Sequence, residues 1–179
     1  MANRKVVGKL VYWTSFDVEG WNVTMAATER GLLYVGLAED AEEKMKSWLT
    51  KQYGAGEVKE NADRLAEYAN EVRSYLSGEV QDFTCSVDWS GTPFQNKVWK
   101  ALQDISYGQL VTYSDIAEII GHPSAIRAAA SAIGKNPLLL VIPCHRVIAK
   151  NGSLSGYRDG QQLKGRLIRM EGNSFTSSS

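Results

Sequence analysis

Residues 138–142 of this chain read Leu-Leu-Leu-Val-Ile, and the run is stopped by Pro143. Five consecutive apolar side chains have to enter a core, and the pattern predicts a buried strand. Proline has no N–H to give to a ladder, so the strand ends there. Cys144-His145-Arg146 follows at once. A thiol is thereby delivered to the end of a buried element, with an imidazole and a permanent cation as neighbours. A base or a positive charge close by favours the thiolate, which is the reactive form of cysteine. A free cysteine can equally be an inert filler of core space, and the tripeptide alone leaves both readings open.

The other cysteine, Cys85, stands far from any candidate base and reads as structural. Two cysteines in unrelated contexts do not make a disulfide framework, so a reducing, cytoplasmic setting is expected. Residues 1–9 are polar and no apolar run reaches membrane-spanning length, so neither a secretory signal nor a membrane is expected. The net charge of zero hides an asymmetry. Residues 92–172 hold ten Lys or Arg against five Asp or Glu, a net of +5, while residues 1–91 hold ten against fifteen, a net of −5. Such a division points to a polyanion meeting the second part only, although chance clustering on a solvated surface gives the same count.

Three short stretches rich in Val, Tyr, Trp and Leu (Lys5 to Trp13, Trp21 to Thr28, Gly31 to Leu37) read as strands, the last two joined by a hairpin at Thr28-Glu29-Arg30-Gly31. Helices are predicted over Asp40 to Tyr53 and Asn61 to Leu76, with Gly78 as a stop. Trp13, Trp21 and Trp48 are read as packing, and residues 1–80 offer no candidate catalytic group. Residues 81–91 have turn-like composition and join the two parts, with Phe83, Cys85 and Val87 alternating as in an edge strand. The expected domains are 1–88 and 89–172, followed by a disordered Ser-rich tail, 173–179.

Thr92-Pro93 opens the second part as N-cap and first helical residue, with Phe94, Val98 and Leu102 as the buried stripe. Thr112 caps a second helix, Ser114 to Ile120, and Pro123 is expected to start a third that Gly134 closes. Two short helices across a Gly-containing turn are a helix-turn-helix signature, in which the second is presented to DNA. That helix carries nothing larger than a hydroxymethyl from Ala128 to Ala132, including Ala130 and Ser131, with Arg127 and Lys135 near its ends. Alanines simply make a good helix; a helix this smooth also suits a narrow groove. Readout of base edges would want Asn, Gln or several Arg along it, and their absence argues against a sequence-specific regulator.

The segments Asn136-Pro137 and Ile142-Pro143-Cys144-His145-Arg146-Val147 resemble the active-site signature of the 6-O-alkylguanine-DNA alkyltransferases. Phe94 through Trp99, Thr112-Tyr113, Arg127, Gly156-Tyr157 and Glu171-Gly172 follow in the same order. The likeness covers most of residues 92–172 and is highly specific there. For residues 1–90 it is one of size and strand–helix order. It implies an α/β N-terminal domain, ribonuclease-H-like, with a small antiparallel sheet plus helices. A mostly α C-terminal domain with a winged helix-turn-helix would follow. The implied activity is irreversible repair: the alkyl group of 6-O-methylguanine in DNA moves to a cysteine of the protein, with no cofactor.

On that resemblance Cys144 would be the acceptor at the mouth of a base-sized pocket. His145 would draw off its proton through a water, and Glu171 would orient the imidazole. Tyr113 would hydrogen-bond and protonate the departing guanine, and Asn136 would brace the turn before Cys144. Pro143, Arg146, Val147, Ser155, Gly156, Tyr157 and Arg158 would line the pocket. The lesion would be extruded from double-stranded DNA. Arg127 would fill the gap, and Ala128, Ala130, Ser131, Thr112 and Lys135 would meet the minor groove without reading sequence. A monomer is expected. Three departures stand out. Ser106 replaces a usual Pro, which should alter only a turn. Asp159 stands where bacterial relatives often carry Trp, which bears on the shape of the pocket wall. The N-terminal part lacks the Cys and His with which some relatives bind zinc, so no metal is expected. The extra regulatory domain of the adaptive-response branch is also missing from the sequence, which fits a stand-alone form. The alternatives are a winged-helix regulator with an incidental cysteine, an alkyltransferase-like binder, against which the thiol of Cys144 itself argues, and a cysteine hydrolase with multiple turnover.

Overall fold

The computed structural model of the protein describes residues 9–54 and 56–173. The expected tail from residue 174 onward, and residues 5–8 of the first expected strand, lie outside the described residues. The chain divides into two compact units, Met1–Ser90 and Gly91–Ser179. No helix among the described residues is long and apolar enough to cross a membrane.

The first unit is built on a sheet of strands β1 (Val11–Val18), β2 (Trp21–Thr28) and β3 (Gly31–Gly36), paired antiparallel in sequence order. β1 runs five residues past the expected end at Trp13. Polar Thr14, Ser15 and Asp17 hid the strand, yet the Ser15 and Thr24 hydroxyls meet across it at 2.7 Å. Glu19 and Gly20 then turn the chain with φ of 48° and 74°, the left-handed pair that a two-residue hairpin demands. Helix α1 (Ala41–Tyr53) lays Met45, Leu49 and Tyr53 into a core with Val11, Trp13, Ala26, Leu33 and Tyr34. A short strand β4 (Val58–Glu60) then adds parallel to β1, giving the order β3-β2-β1-β4. No apolar alternation marks β4, because all three of its residues are exposed on the sheet edge. Helix α2 (Ala66–Leu76), entered through a 3-10 turn at Asp63–Leu65, buries Ala69, Val72, Tyr75 and Leu76. Of the alternating Phe83, Cys85 and Val87, only Val87 pairs, with Leu32. The Cys85 thiol is pushed up to about 12, first by burial and then by the Glu71 carboxylate; it is inert at neutral pH.

The second unit is mostly helical. Helix α3 (Pro93–Gln103) starts in a full capping box: Thr92 accepts from Gln95 N–H, and the Gln95 side chain accepts from Thr92 N–H. It buries Val98, Trp99, Ala101 and Leu102, whereas Phe94 is only half-buried. Helix α4 (Tyr113–Ile119) has a second capping box between Thr112 and Asp115. Helix α5 (Ile126–Gly134) begins three residues later than expected. Pro123 sits instead inside a turn closed by Ala125 N–H on His122 O at 2.8 Å, the second position of a β-turn, which proline suits as well as a helix start. The Trp99 indole N–H reaches Ala132 O at 2.9 Å and pins α3 to α5. Ser106, in place of a proline, accepts from Gln109 N–H across an ordinary turn.

The run 138–142 is buried but is not a strand. It folds on itself, with Ile142 N–H on Leu138 O at 2.9 Å and Leu140 at φ 72°. Apolarity fixes burial without fixing conformation, and here a side chain supplies what a ladder would have. Asn136 Oδ1 accepts from Leu138 N–H at 2.8 Å, and its Nδ2 donates to Ile142 O at 2.8 Å. A 3-10 turn (Cys144–Arg146) follows, then strand β6 (Val147–Ile148), which pairs parallel with β5 (Val111–Thr112). Helix α6 (Gln161–Met170) closes the unit. Asn173, expected in a disordered tail, is held through its side-chain amide on Gly108 O at 2.9 Å.

Candidate active site

The 3-10 turn buries Cys144, His145 and Arg146, setting the sulfur against Asn136 and the other two side chains against Glu171. Cys144 is 3% exposed, so its sulfur lies closed off from solvent rather than at an open mouth. It is not in plain hydrocarbon, however: Asn136 Nδ2 donates to Sγ at 3.1 Å. The amide thus braces the turn and contacts the nucleophile. Burial pushes the Cys144 thiol up, while the Asn136 amide, Arg158 and Lys164 pull it down and Asp159 raises it.

His145 Nε2 lies 2.7 Å from Glu171 Oε1, with both side chains buried. Facing a carboxylate, Nε2 carries the proton and donates, which makes Nδ1 the basic nitrogen. Burial holds the imidazole below its usual range, against the pull of Glu171, so at neutral pH it is uncharged and able to take a proton. Glu171 caps the C-terminus of α6 and is saturated with donors. Arg146 Nε and Nη2 reach it at 3.0 Å each, and Gly108 N–H reaches Oε2 at 3.0 Å. Arg146, expected on a pocket wall, is therefore the buried counter-ion of the carboxylate, and its Nη1 also holds Ile105 O. Fixing the carboxylate in this way fixes the imidazole that leans on it.

The β5–β6 pair joins the N-terminus of α4, and so Tyr113, to the segment that follows Cys144. The Tyr113 hydroxyl donates to Ser155 O at 2.9 Å. Burial, then the Cys144 sulfur, raises its pKa above the ordinary phenol value, so it stays a phenol and a donor at neutral pH. Gly156 has φ 85°, which strains any other residue, and a Cβ there would stand 3.1 Å from that hydroxyl and press on it. Pro143, Val147 and Tyr157 are buried, while Ser155 and Gly156 are exposed. On α5, Arg127, Ala128, Ser131 and Lys135 share an exposed stripe, with Ala130 half-buried at its side. Thr112 spends its hydroxyl on the α4 cap.

One group was missed from the sequence. Lys164 is 1% exposed and donates its ammonium to Val147 O, 5.7 Å from the Tyr113 ring centre. The signal was present: Lys164 shares the i, i+3, i+4, i+7 stripe of α6 with Leu167, Ile168 and Glu171, a face otherwise committed to burial. Burial lowers its pKa to about 8, with Cys144 pulling the other way. The folded value is below the unfolded one, so the folded chain releases this proton first and stability rises as pH climbs from about 8 towards the ordinary lysine range. Urea melts at pH 8 and pH 10 should show that rise in the wild type, and Lys164→Met should flatten it. An equal slope in both proteins would place the titration elsewhere.

Two family models match the chain: the ribonuclease-like domain of 6-O-methylguanine DNA methyltransferase over residues 11–89, and its DNA binding domain over residues 93–173. The chain is 44% identical over 161 residues to the inducible methylated-DNA–protein-cysteine methyltransferase of Bacillus subtilis, covering 90% of each chain. It superposes on the crystal structure of the Mycobacterium tuberculosis O6-methylguanine methyltransferase with a TM-score of 0.78 at 32% identity, over 90% of this chain and 92% of that one. The Mycobacterium tuberculosis OGT in complex with DNA gives 0.74 at 30% identity, over 89% and 92%.

Proposed function

Since the chain belongs to the 6-O-methylguanine DNA methyltransferase family, we propose that Cys144 is the acceptor to which it transfers the alkyl group. The protein is a methylated-DNA–protein-cysteine methyltransferase that acts on DNA. The observation that carries the assignment is the buried His145–Glu171 pair at 2.7 Å, whose imidazole stands on the same turn as the cysteine.

Neutral His145 takes the Cys144 proton through a water, and Glu171 stabilises the imidazolium that forms. The sulfur attacks the methyl carbon, a C–S bond forms, and the C–O bond of the ether breaks with its electrons passing to the guanine. Tyr113 donates to that guanine, which takes up a proton and leaves neutral. No reductant or second substrate is needed, and nothing removes the thioether, so each molecule acts once. The exposed stripe of α5 lies in the minor groove, where Ala128, Ala130 and Ser131 permit close approach and Lys135 meets phosphate. Arg127 occupies the space of the extruded base. The protein works as a monomer in the reducing cytoplasm, where its thiols persist.

Incubation with duplex carrying a labelled 6-O-methyl group tests this. One equivalent of label should appear on the Cys144 peptide by mass spectrometry. Label on another residue, or methyl groups released repeatedly, would overturn the assignment. Arg127→Ala should slow transfer from duplex by roughly tenfold to a hundredfold, because extrusion costs a few kcal/mol, and leave transfer from a single strand nearly unchanged. Equal loss on both substrates would take Arg127 out of extrusion.

A further inference from the structure

The loop before α6 contains an ion pair that the transfer chemistry above does not use. Arg158 Nε and Asp159 Oδ1 are 3.1 Å apart, within a turn closed by Gly160 N–H on Tyr157 O. The carboxylate side chain is 0% exposed and the guanidinium 19%. Side chains of adjacent residues ordinarily diverge, and a buried carboxylate is costly unless its partner is well placed. The same guanidinium turns its Nη1 onto the Asn136 carbonyl at 2.9 Å. Asn136, in turn, has its amide on the Cys144 sulfur at 3.1 Å. The contacts therefore run without a gap from Asp159 to Arg158, to Asn136, to the sulfur.

We propose that the Arg158–Asp159 pair positions and tunes the acceptor sulfur. Arg158 holds Asn136 so that its amide stays on Sγ and brings a cation towards the developing thiolate; Asp159 locks Arg158 in that pose and offsets part of its charge. The pair thereby sets the pH range over which the sulfur is nucleophilic, an inference that rests on Cys144 being the acceptor.

The groups facing the sulfur divide by sign. Lys164 from α6 and Arg158 from the loop are cationic and favour the thiolate, and Asp159 opposes it. Tyr113 from the start of α4 is a neutral phenol, and Asn136 supplies a neutral donor. The charges of Arg146, two residues after the cysteine, and of Glu171 at the C-cap of α6 are satisfied on each other. Asp159 is thus an acidic group whose own partner, Arg158, also acts on Cys144, so removing its charge frees the full field of Arg158.

The test is the pH profile of Cys144 alkylation by iodoacetamide in the full chain, read by mass spectrometry of the Cys144 peptide. Asp159→Asn keeps an oxygen for Arg158 and removes the charge; its midpoint should fall by roughly half a pH unit or more. Arg158→Gln should raise the midpoint by a similar amount, and Arg158→Lys should restore part of it. Midpoints that stay in place, or that move the same way in both variants, would overturn the proposal, whatever happens to the melting temperature. Should Asp159→Asn fail to fold, Asp159→Ser carries the same expectation. Because iodoacetamide needs no DNA, shifted midpoints without methyl transfer from duplex would refute the repair assignment alone, and transfer with unshifted midpoints would refute the tuning pair alone.

Discussion

Cys144→Ser is expected to abolish methyl transfer, by about ten-thousandfold or more, while leaving the affinity for lesion-bearing duplex within about twofold. The change is nearly isosteric. The Asn136 amide can donate to the new hydroxyl as it does to the sulfur, and it keeps Ile142 O at 2.8 Å in any case. Fold and groove-facing stripe are therefore preserved, and only the nucleophile changes. An alcohol is a far weaker acid than a thiol. The imidazole that must deprotonate it is held below its usual range by burial, so it cannot make up the difference. Burial raises even the thiol, and a harder, more localised alkoxide suffers more from the same loss of solvent. Gel-shift titration with methylated duplex, beside mass spectrometry of the protein, separates the two properties. A Cys144→Ser protein that still became methylated would require a different acceptor. One that lost both binding and transfer would show that the substitution had damaged the unit instead.

Which parts of this were legible in the sequence follows from which interactions are local. Both capping boxes of the second unit lie within four residues of chain, Thr92 to Gln95 and Thr112 to Asp115, so both N-caps could be read to the residue, although α4 begins at Tyr113, one residue before the expected Ser114. Asn136, Cys144 and His145 lie within ten residues of chain and could be singled out together, whereas Glu171, at the C-cap of α6, was indicated only by the family resemblance. The run 138–142 misled for a physical reason. Its apolarity reports burial, and the side chain of Asn136, two positions upstream, decides that the buried backbone closes on itself instead of pairing. Pro123 misled because one ring geometry serves both a turn and a helix start. The position of Arg146 could not be read at all. A cation beside a cysteine is also a plausible groove or pocket residue. Its pairing with Glu171, twenty-five residues on, is a tertiary fact. Lys164 was hidden by the ordinary habit of lysine, which is to be exposed.

The second large effect is expected at Glu171, and two substitutions there should fail in different ways. Glu171→Ala removes the anion from beneath a guanidinium that is 4% exposed and an imidazole that is 0% exposed. Breaking one half of a buried pair costs about 3–5 kcal/mol, so the second unit should melt at clearly lower urea concentration, and transfer should be lost with the fold. Glu171→Gln keeps the volume and should keep most of the stability, yet it offers one oxygen where His145, Arg146 and Gly108 all present N–H donors. Its own amide then faces one of those donors, and the least costly escape is for His145 to move its proton to Nδ1 and accept at Nε2. That tautomer turns the basic nitrogen away from its task. An equivalent exchange in a Ser-His-Asp triad lowers the rate by about 10⁴ with the geometry intact, and a loss of roughly 10²–10⁴ in transfer rate is expected here on the same ground. Single-turnover rates on methylated duplex, set beside urea melts of the same samples, distinguish the cases. A Glu171→Gln protein that transferred at the wild-type rate would show that the imidazole needs no carboxylate behind it, and His145 would then have to act, if it acts at all, without being oriented.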